Sequence, residues 1–197
     1  DYAYSFGYYE GALRKMIHHF KYAGVEALCG PLGALMVQAL PLDLQVDMIV
    51  PVPLHWRRRL WRGFNQCDLL ARPLESRLRV PVVTAIRKSR HTETQASSTP
   101  AQRRSNLTGA FVLVEKNVVS GKRVLLVDDV LTTGATVTLC SNLLRRGGAL
   151  SVTVLTLARV DRRPAEGRAA LNALRMVPGY SDLADWLEQR IDAIEGA

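Results

Sequence analysis

The residue types with most chemistry to offer lie between Asp128 and Thr136, inside the string RVLLVDDVLTTGATVT that runs from Arg123 to Thr138. Asp128 and Asp129 are adjacent carboxylates. Val130 and Leu131 follow, and then Thr132, Thr133, Gly134, Ala135 and Thr136 place three hydroxyls on a loop of small residues. A loop of this kind ahead of a helix exposes backbone N–H groups at the positive end of the helix dipole, which makes an anion site. Gly134 lets backbone approach a phosphate closely. The two acids would repel a bare phosphate, but carboxylates accept hydrogen bonds from vicinal hydroxyls. The string therefore asks for a sugar phosphate, with its hydroxyls on Asp128 and Asp129 and its phosphate in the loop. Helix capping explains one or two of these residues but not seven in order. Neither a Gly-Lys-Ser/Thr loop nor a GxGxxG fingerprint is present.

These residues need a strand before them and a helix behind them. Arg123 to Val127 is a short apolar run, which fits a strand buried on both faces. Val137, Leu139, Leu143 and Leu144 share one helical face, and Gly147-Gly148 stops it. A second informative stretch starts at Val46 to Pro53, a short buried strand leaving the sheet at its prolines. It runs into the basic loop Leu54 to Gln66, LHWRRRLWRGFNQ. In an open α/β sheet, ligands sit at the carboxyl ends of strands, so this loop should lie near the threonine loop. Arg62 supplies charge there, and Gly63 lets backbone donors turn inward onto a diphosphate. A solvated basic turn, with Trp56 and Trp61 packed at the sheet edge, is the plainer alternative.

A helix is expected over Asn65 to Leu78, kinked by Pro73. Strands are expected at Val80 to Ile86, Leu107 to Val114 and Ala149 to Ala158. Residues 87–106 are polar and basic, and read either as a flexible lid or as a plain connector. As a lid, Arg87, Lys88, Arg90, Arg103 and Arg104 would close over a diphosphate and exclude water. The alternation of strand and helix predicts an α/β fold: an open, mostly parallel twisted sheet flanked by helices. Residues 1–24 begin with alternating Tyr2, Tyr4, Phe6 and Tyr8, followed by a helix carrying Leu13, Met16, Ile17 and Phe20, and ending at Lys21 and Tyr22. This segment reads as a small hood over the sheet. A further helix is expected from Gly30 to Leu40. After residue 160 the chain changes character. Two amphipathic helices are expected there, near 165–176 and 181–194, so 161–197 reads as a helical C-terminal extension to a domain spanning 1–160.

The chain has 197 residues and a formal net charge of +8, of which residues 55–104 hold a net +9 and the remainder about −1. That distribution suits polyanions, single-stranded nucleic acid included, with Trp56 and Trp61 as stacking partners. Cys29, Cys67 and Cys140 show no metal-ligand spacing and read as reduced thiols of a cytoplasmic protein. No apolar run approaches the ~20 residues of a membrane span. The first residue is Asp1 rather than Met, so a preceding segment is expected.

Taken together, PVPLHWRRRLWRGFNQ, NLTGAF, VLLVDDVLTTGAT and HHFKYAG make residues 1–160 similar to the ComF (competence protein F) family, type I phosphoribosyltransferase-like proteins tied to natural DNA transformation. The DDVLTTGAT string marks the superfamily, and RGFNQ and NLTGAF narrow it. The resemblance implies the type I phosphoribosyltransferase fold and a site for 5-phosphoribosyl-1-diphosphate (PRPP). It implies ribose hydroxyls on Asp128 and Asp129, the 5′-phosphate at Thr132 to Thr136, and Arg62-Gly63 in a diphosphate loop. Asp128 and Asp129 would be the catalytic pair, stabilising positive charge on the sugar. Mg²⁺ would ride on the diphosphate and sugar hydroxyls rather than in a protein cage. Two functions follow from it: transfer of phosphoribosyl with release of diphosphate, or a non-catalytic PRPP-sensing or DNA-binding module of the competence machinery. DNA-uptake proteins are the implied partners, and an oligomer is compatible with either.

Overall fold

The computed structural model describes residues 2–54, 63–88, 111–115, 117–160 and 173–195, with side chains to residue 189. Its main sheet has the order β1-β6-β5-β2, from Ala3–Tyr8 (β1), Ser151–Arg159 (β6), Arg123–Leu131 (β5) and Met48–Pro51 (β2), all pairs parallel. Two short strands, Ile86–Lys88 (β3) and Phe111–Leu113 (β4), form a separate antiparallel ribbon. The helices are Gly11–Tyr22 (α1), Cys29–Gln38 (α2), Gln66–Leu78 (α3), Ala135–Arg146 (α4) and Ser181–Glu195 (α5).

β5 is central because it is apolar on both faces, and successive side chains point opposite ways. Leu125 and Val127 enter a core with Leu13, Met16, Ile17 and Phe20 of α1 and Leu70 and Leu74 of α3. Val124 and Leu126 enter the other core, with Val137, Cys140 and Leu144 of α4. One turn of chemistry is thus clamped between two helix layers, which is what a rigid site requires.

Three expectations change. Residues 2–22 do not sit apart as a hood. β1 is an edge strand of the main sheet, in register from Ala3↔Val154 to Tyr8↔Arg159, and α1 is core. The alternating aromatics signalled a strand, but its partner lies some 150 residues away and leaves no local trace. Val80 to Ile86 is not one strand: Val82 makes an isolated parallel bridge to Ile49, and β3 begins only at Ile86. Arg87 and Lys88 are accordingly strand residues rather than the start of a loop, while 89–106 lie outside the described residues. The helix α3 does contain Pro73, whose ring fills the space where a side chain on Gly33 of α2 would be, at 2.5 Å from an added Cβ. The C-terminal helix α5 docks: Leu174, Ala184 and Leu187 join the α1-side core, and Arg175 pairs with Asp185 and Glu188. Among the described residues no helix is long and apolar enough to cross a membrane.

Candidate functional site

β5 does not stop at Val127. It continues through the acids to Leu131, because β6 pairs with it from Asp128↔Thr156 to Leu131↔Arg159. Both carboxylates therefore hang from a strand held on a rigid neighbour. Thr132 to Gly134 then turn the chain. Gly134 takes φ +76°, a left-handed conformation that side-chain-bearing residues rarely adopt, and α4 begins at Ala135. The first-turn amides of α4 have no partner inside the helix, and the first turn holds no acidic residue to occupy that place. Thr133 Oγ1 accepts weakly from Ala135 N at 3.4 Å. Thr132, Thr133 and Thr136 are exposed, and Asp128, Val130, Leu131, Thr132, Gly134, Ala135, Thr136 and Val137 line an open depression. The string read from sequence is thus one surface, with a carboxylate at one end and a helix N-terminus at the other.

The two acids differ. Asp128 opens on the depression and accepts from Asp129 N at 2.9 Å. Burial pushes its carboxyl up to about 7, with the neighbouring Asp129 charge adding to the rise. Asp129 is buried at 5% exposure and paired by Oδ1 to Lys21 Nζ at 2.8 Å, and its Oδ2 has no hydrogen-bond partner among the described residues.

Two residues of this site were missed in the sequence. Cys67, read as part of a helix stripe, donates from Sγ to Asp128 Oδ1 at 3.5 Å. Burial and the two carboxylates push its thiol well up, so it stays a neutral donor. Lys21, read as a helix end, is the partner of Asp129. Asn65 explains how Cys67 arrives. Its side chain caps α3 by accepting from Cys67 N at 3.3 Å and donates to Val52 O at 3.2 Å, tying the start of α3 to the exit of β2. Phe64 stacks at 5.7 Å on Phe20, beside Lys21. The strings RGFNQ and HHFKYAG, far apart in the chain, meet here; that mutual packing was the only signal available, and it is not a local one.

Cys67, Asp128 and Asp129 carry metal-capable atoms within 4.8 Å of one another. The thiol is already spent as a donor to Asp128, and an ammonium pairs with Asp129 Oδ1, so hydrogen bonding and ion pairing engage the trio apart from Asp129 Oδ2. The hard oxygens that Mg²⁺ prefers would come chiefly from a bound diphosphate and water.

Other sequence candidates are placed less centrally. Gly63 is exposed with φ +84° and open space around it, as a turning backbone requires. Lys88 sits over the Phe111 ring at 5.3 Å, and Arg87 is exposed on β3. Arg62, Arg90, Arg103 and Arg104 lie outside the described residues, as do Trp56 and Trp61. All three cysteines are free thiols.

Residues 65–175 match the phosphoribosyl transferase domain family. Competence protein F of Haemophilus influenzae is 38% identical over 161 residues, covering 78% of this chain and 70% of that protein. The DNA utilization protein YhgH of Escherichia coli K12 is 38% identical over 159 residues, covering 77% and 69%. A solved structure of the allosteric regulatory enzyme of purine biosynthesis superposes with a TM-score of 0.53 at 21% identity, over 77% of this chain but only 32% of that one. That likeness is one of fold.

Proposed function

The chain belongs to the phosphoribosyl transferase domain family, among the relatives of competence protein F and the DNA utilization proteins, and from this premise we propose that it binds PRPP at the end of β5. The observation that carries the reading is the single open surface on which Asp128 and the N-terminus of α4 face the same depression. The 5′-phosphate goes to the Thr132–Thr136 loop, where amides and hydroxyls donate. The ribose hydroxyls go to the acidic pair, Asp128 being the member that opens on the depression. Gly63, with Arg62 next to it in sequence, would supply the turn that receives the diphosphate. Mg²⁺, when bound through the diphosphate, would neutralise charge on the leaving group.

Transfer, if an acceptor is supplied, breaks the C1–O bond to diphosphate and forms a bond from C1 to the acceptor. Asp128 then stabilises the positive charge that develops on the sugar. Calorimetric titration with PRPP and Mg²⁺ tests the site: wild type binds, and Asp128→Asn with Asp129→Asn abolishes binding while the fold persists. Equal affinity in both chains would refute the assignment.

A second reading is favoured by the similarity to DNA utilization proteins and by the +9 charge of residues 55–104. In it the protein serves DNA handling, with PRPP as a regulatory ligand. Binding of a single-stranded oligonucleotide that weakens steeply with salt supports this reading, and a flat response refutes it.

A further inference from the structure

Lys21 follows buried Phe20 on α1, and its side chain is only 14% exposed. A buried ammonium–carboxylate pair is a poor device for stability alone, since apolar residues of similar volume hold helices as well or better. This pair sits one residue from the carboxylate that lines the depression. It is also incomplete, because Asp129 Oδ2 is buried without a partner among the described residues. Phe64 against Phe20 fixes the helix end that carries the lysine, so the ammonium is delivered by the same contact that anchors the RGFNQ turn.

We propose that Lys21 is a positioning residue of the phosphoribosyl site, holding Asp129 inward as a fixed charge so that Asp128 is the carboxylate offered to the ligand. This rests on the PRPP reading above and names a residue that reading did not use. Among the described residues, the groups facing the acids are Lys21 from α1, Cys67 from α3 and Cys140 from α4, with Lys88 of β3 acting on Cys140. Burial keeps both thiols neutral, that of Cys140 pushed up to about 12. Among the described residues, Lys21 is thus the charge paired with the two adjacent carboxylates. Without it their mutual repulsion stands unrelieved, and the proton on Asp128 is released only at higher pH.

The test combines ¹³C NMR titration of the aspartate carboxyls with calorimetric PRPP/Mg²⁺ titration across pH, on wild type, Lys21→Met and Lys21→Arg. In Lys21→Met the carboxyl step near neutrality should move up by about one unit or more. PRPP affinity at neutral pH should fall by roughly tenfold for each unit of that shift and recover at higher pH. Lys21→Arg, which keeps the charge, should stay close to wild type in both. A Lys21→Met chain that is merely less stable, with its carboxyl step and affinity unmoved, overturns the proposal. Should that variant not fold, the ammonium of wild-type Lys21 is read by ¹⁵N NMR. A protected resonance that moves with the carboxyl step supports the role, and one indifferent to it overturns the role. A wild-type chain that binds no PRPP overturns the phosphoribosyl reading, and the carboxyl titration then decides the role of Lys21 by itself.

Discussion

The two ends of β5 carry charge in opposite ways. At its start, Arg123 donates from N and Nε to Asp47 Oδ2 at 2.7 and 3.1 Å, from Nη2 to Asp47 Oδ1 at 2.7 Å, and from Nη1 to Gln45. Both carboxylate oxygens of Asp47 are engaged, and the fork-on-fork geometry stitches β5 to the residues before β2. At the other end, Asp128 faces an open depression and Asp129 keeps one oxygen unmatched. A charge whose partners are all supplied by the chain is a staple. A charge left partly unanswered among the described residues, beside the first-turn amides of a helix, has capacity for a further partner. One strand holds both kinds, which separates function from stability within a single element.

The largest expected effect breaks the functional end. Lys21→Met leaves the Asp129 charge buried without its partner, and loss of one member of a buried pair typically destabilises by about 3–5 kcal/mol. Denaturant unfolding measures it, and a loss below about 1 kcal/mol would mean that water reaches Asp129 freely.

Next comes pH. The folded-state carboxyl of Asp128 sits at about 7, above its ordinary value of 3.8. Between those values the folded protein holds a proton that the unfolded chain has released. The contribution of Asp128 to stability is therefore lost as pH rises through this window. Ribose hydroxyls need the ionised form, so PRPP affinity moves the other way and rises through about pH 7, by up to about tenfold per unit below it. Asp128→Asn should flatten both trends, as parallel thermal and calorimetric series at pH 5 to 8.5 would show.

A smaller effect is expected at Gly134. Alanine there must hold φ +76°, at about 1–2 kcal/mol. Local rearrangement of the loop relieves that strain, so phosphate-end affinity should drop while the core stays intact by circular dichroism.

The smallest belongs to the stapled end. The side-chain and backbone hydrogen bonds from Arg123 hold Asp47 down to about 2. Its contribution is in place above the ordinary carboxylate range and is lost as pH falls through about 2. Asp47→Asn should lower stability above the ordinary carboxylate range, flatten its fall in acid, and leave PRPP affinity unchanged. An affinity change there would erase the distinction between the two ends.

Much of this was legible in the sequence because it is local. The apolar run of β5, the small-residue turn, the amphipathic α4 and the Gly147-Gly148 stop are patterns within one stretch, and the structure places them in that order. Asn65 as the start of α3 was likewise readable. What was not legible depends on distant partners. Asp128 to Leu131 fall beyond the apolar run of Arg123 to Val127, and only the pairing with β6 makes them strand. The Tyr-rich opening looks like a hood until β1 joins the same sheet. Lys21 and Asp129 stand more than a hundred residues apart, and no spacing rule connects them. The unequal roles of Asp128 and Asp129 are set by which of them the core covers, and adjacency in sequence made them look equivalent.

We propose the open end of β5 as the PRPP site. Its most direct test is a ¹⁵N–¹H correlation spectrum of the chain titrated with PRPP and Mg²⁺. Saturable shifts concentrated in the amides from Asp128 to Val137, with Asp47 and Arg123 unmoved, are the predicted result. Shifts centred elsewhere, or none at millimolar PRPP, would contradict it.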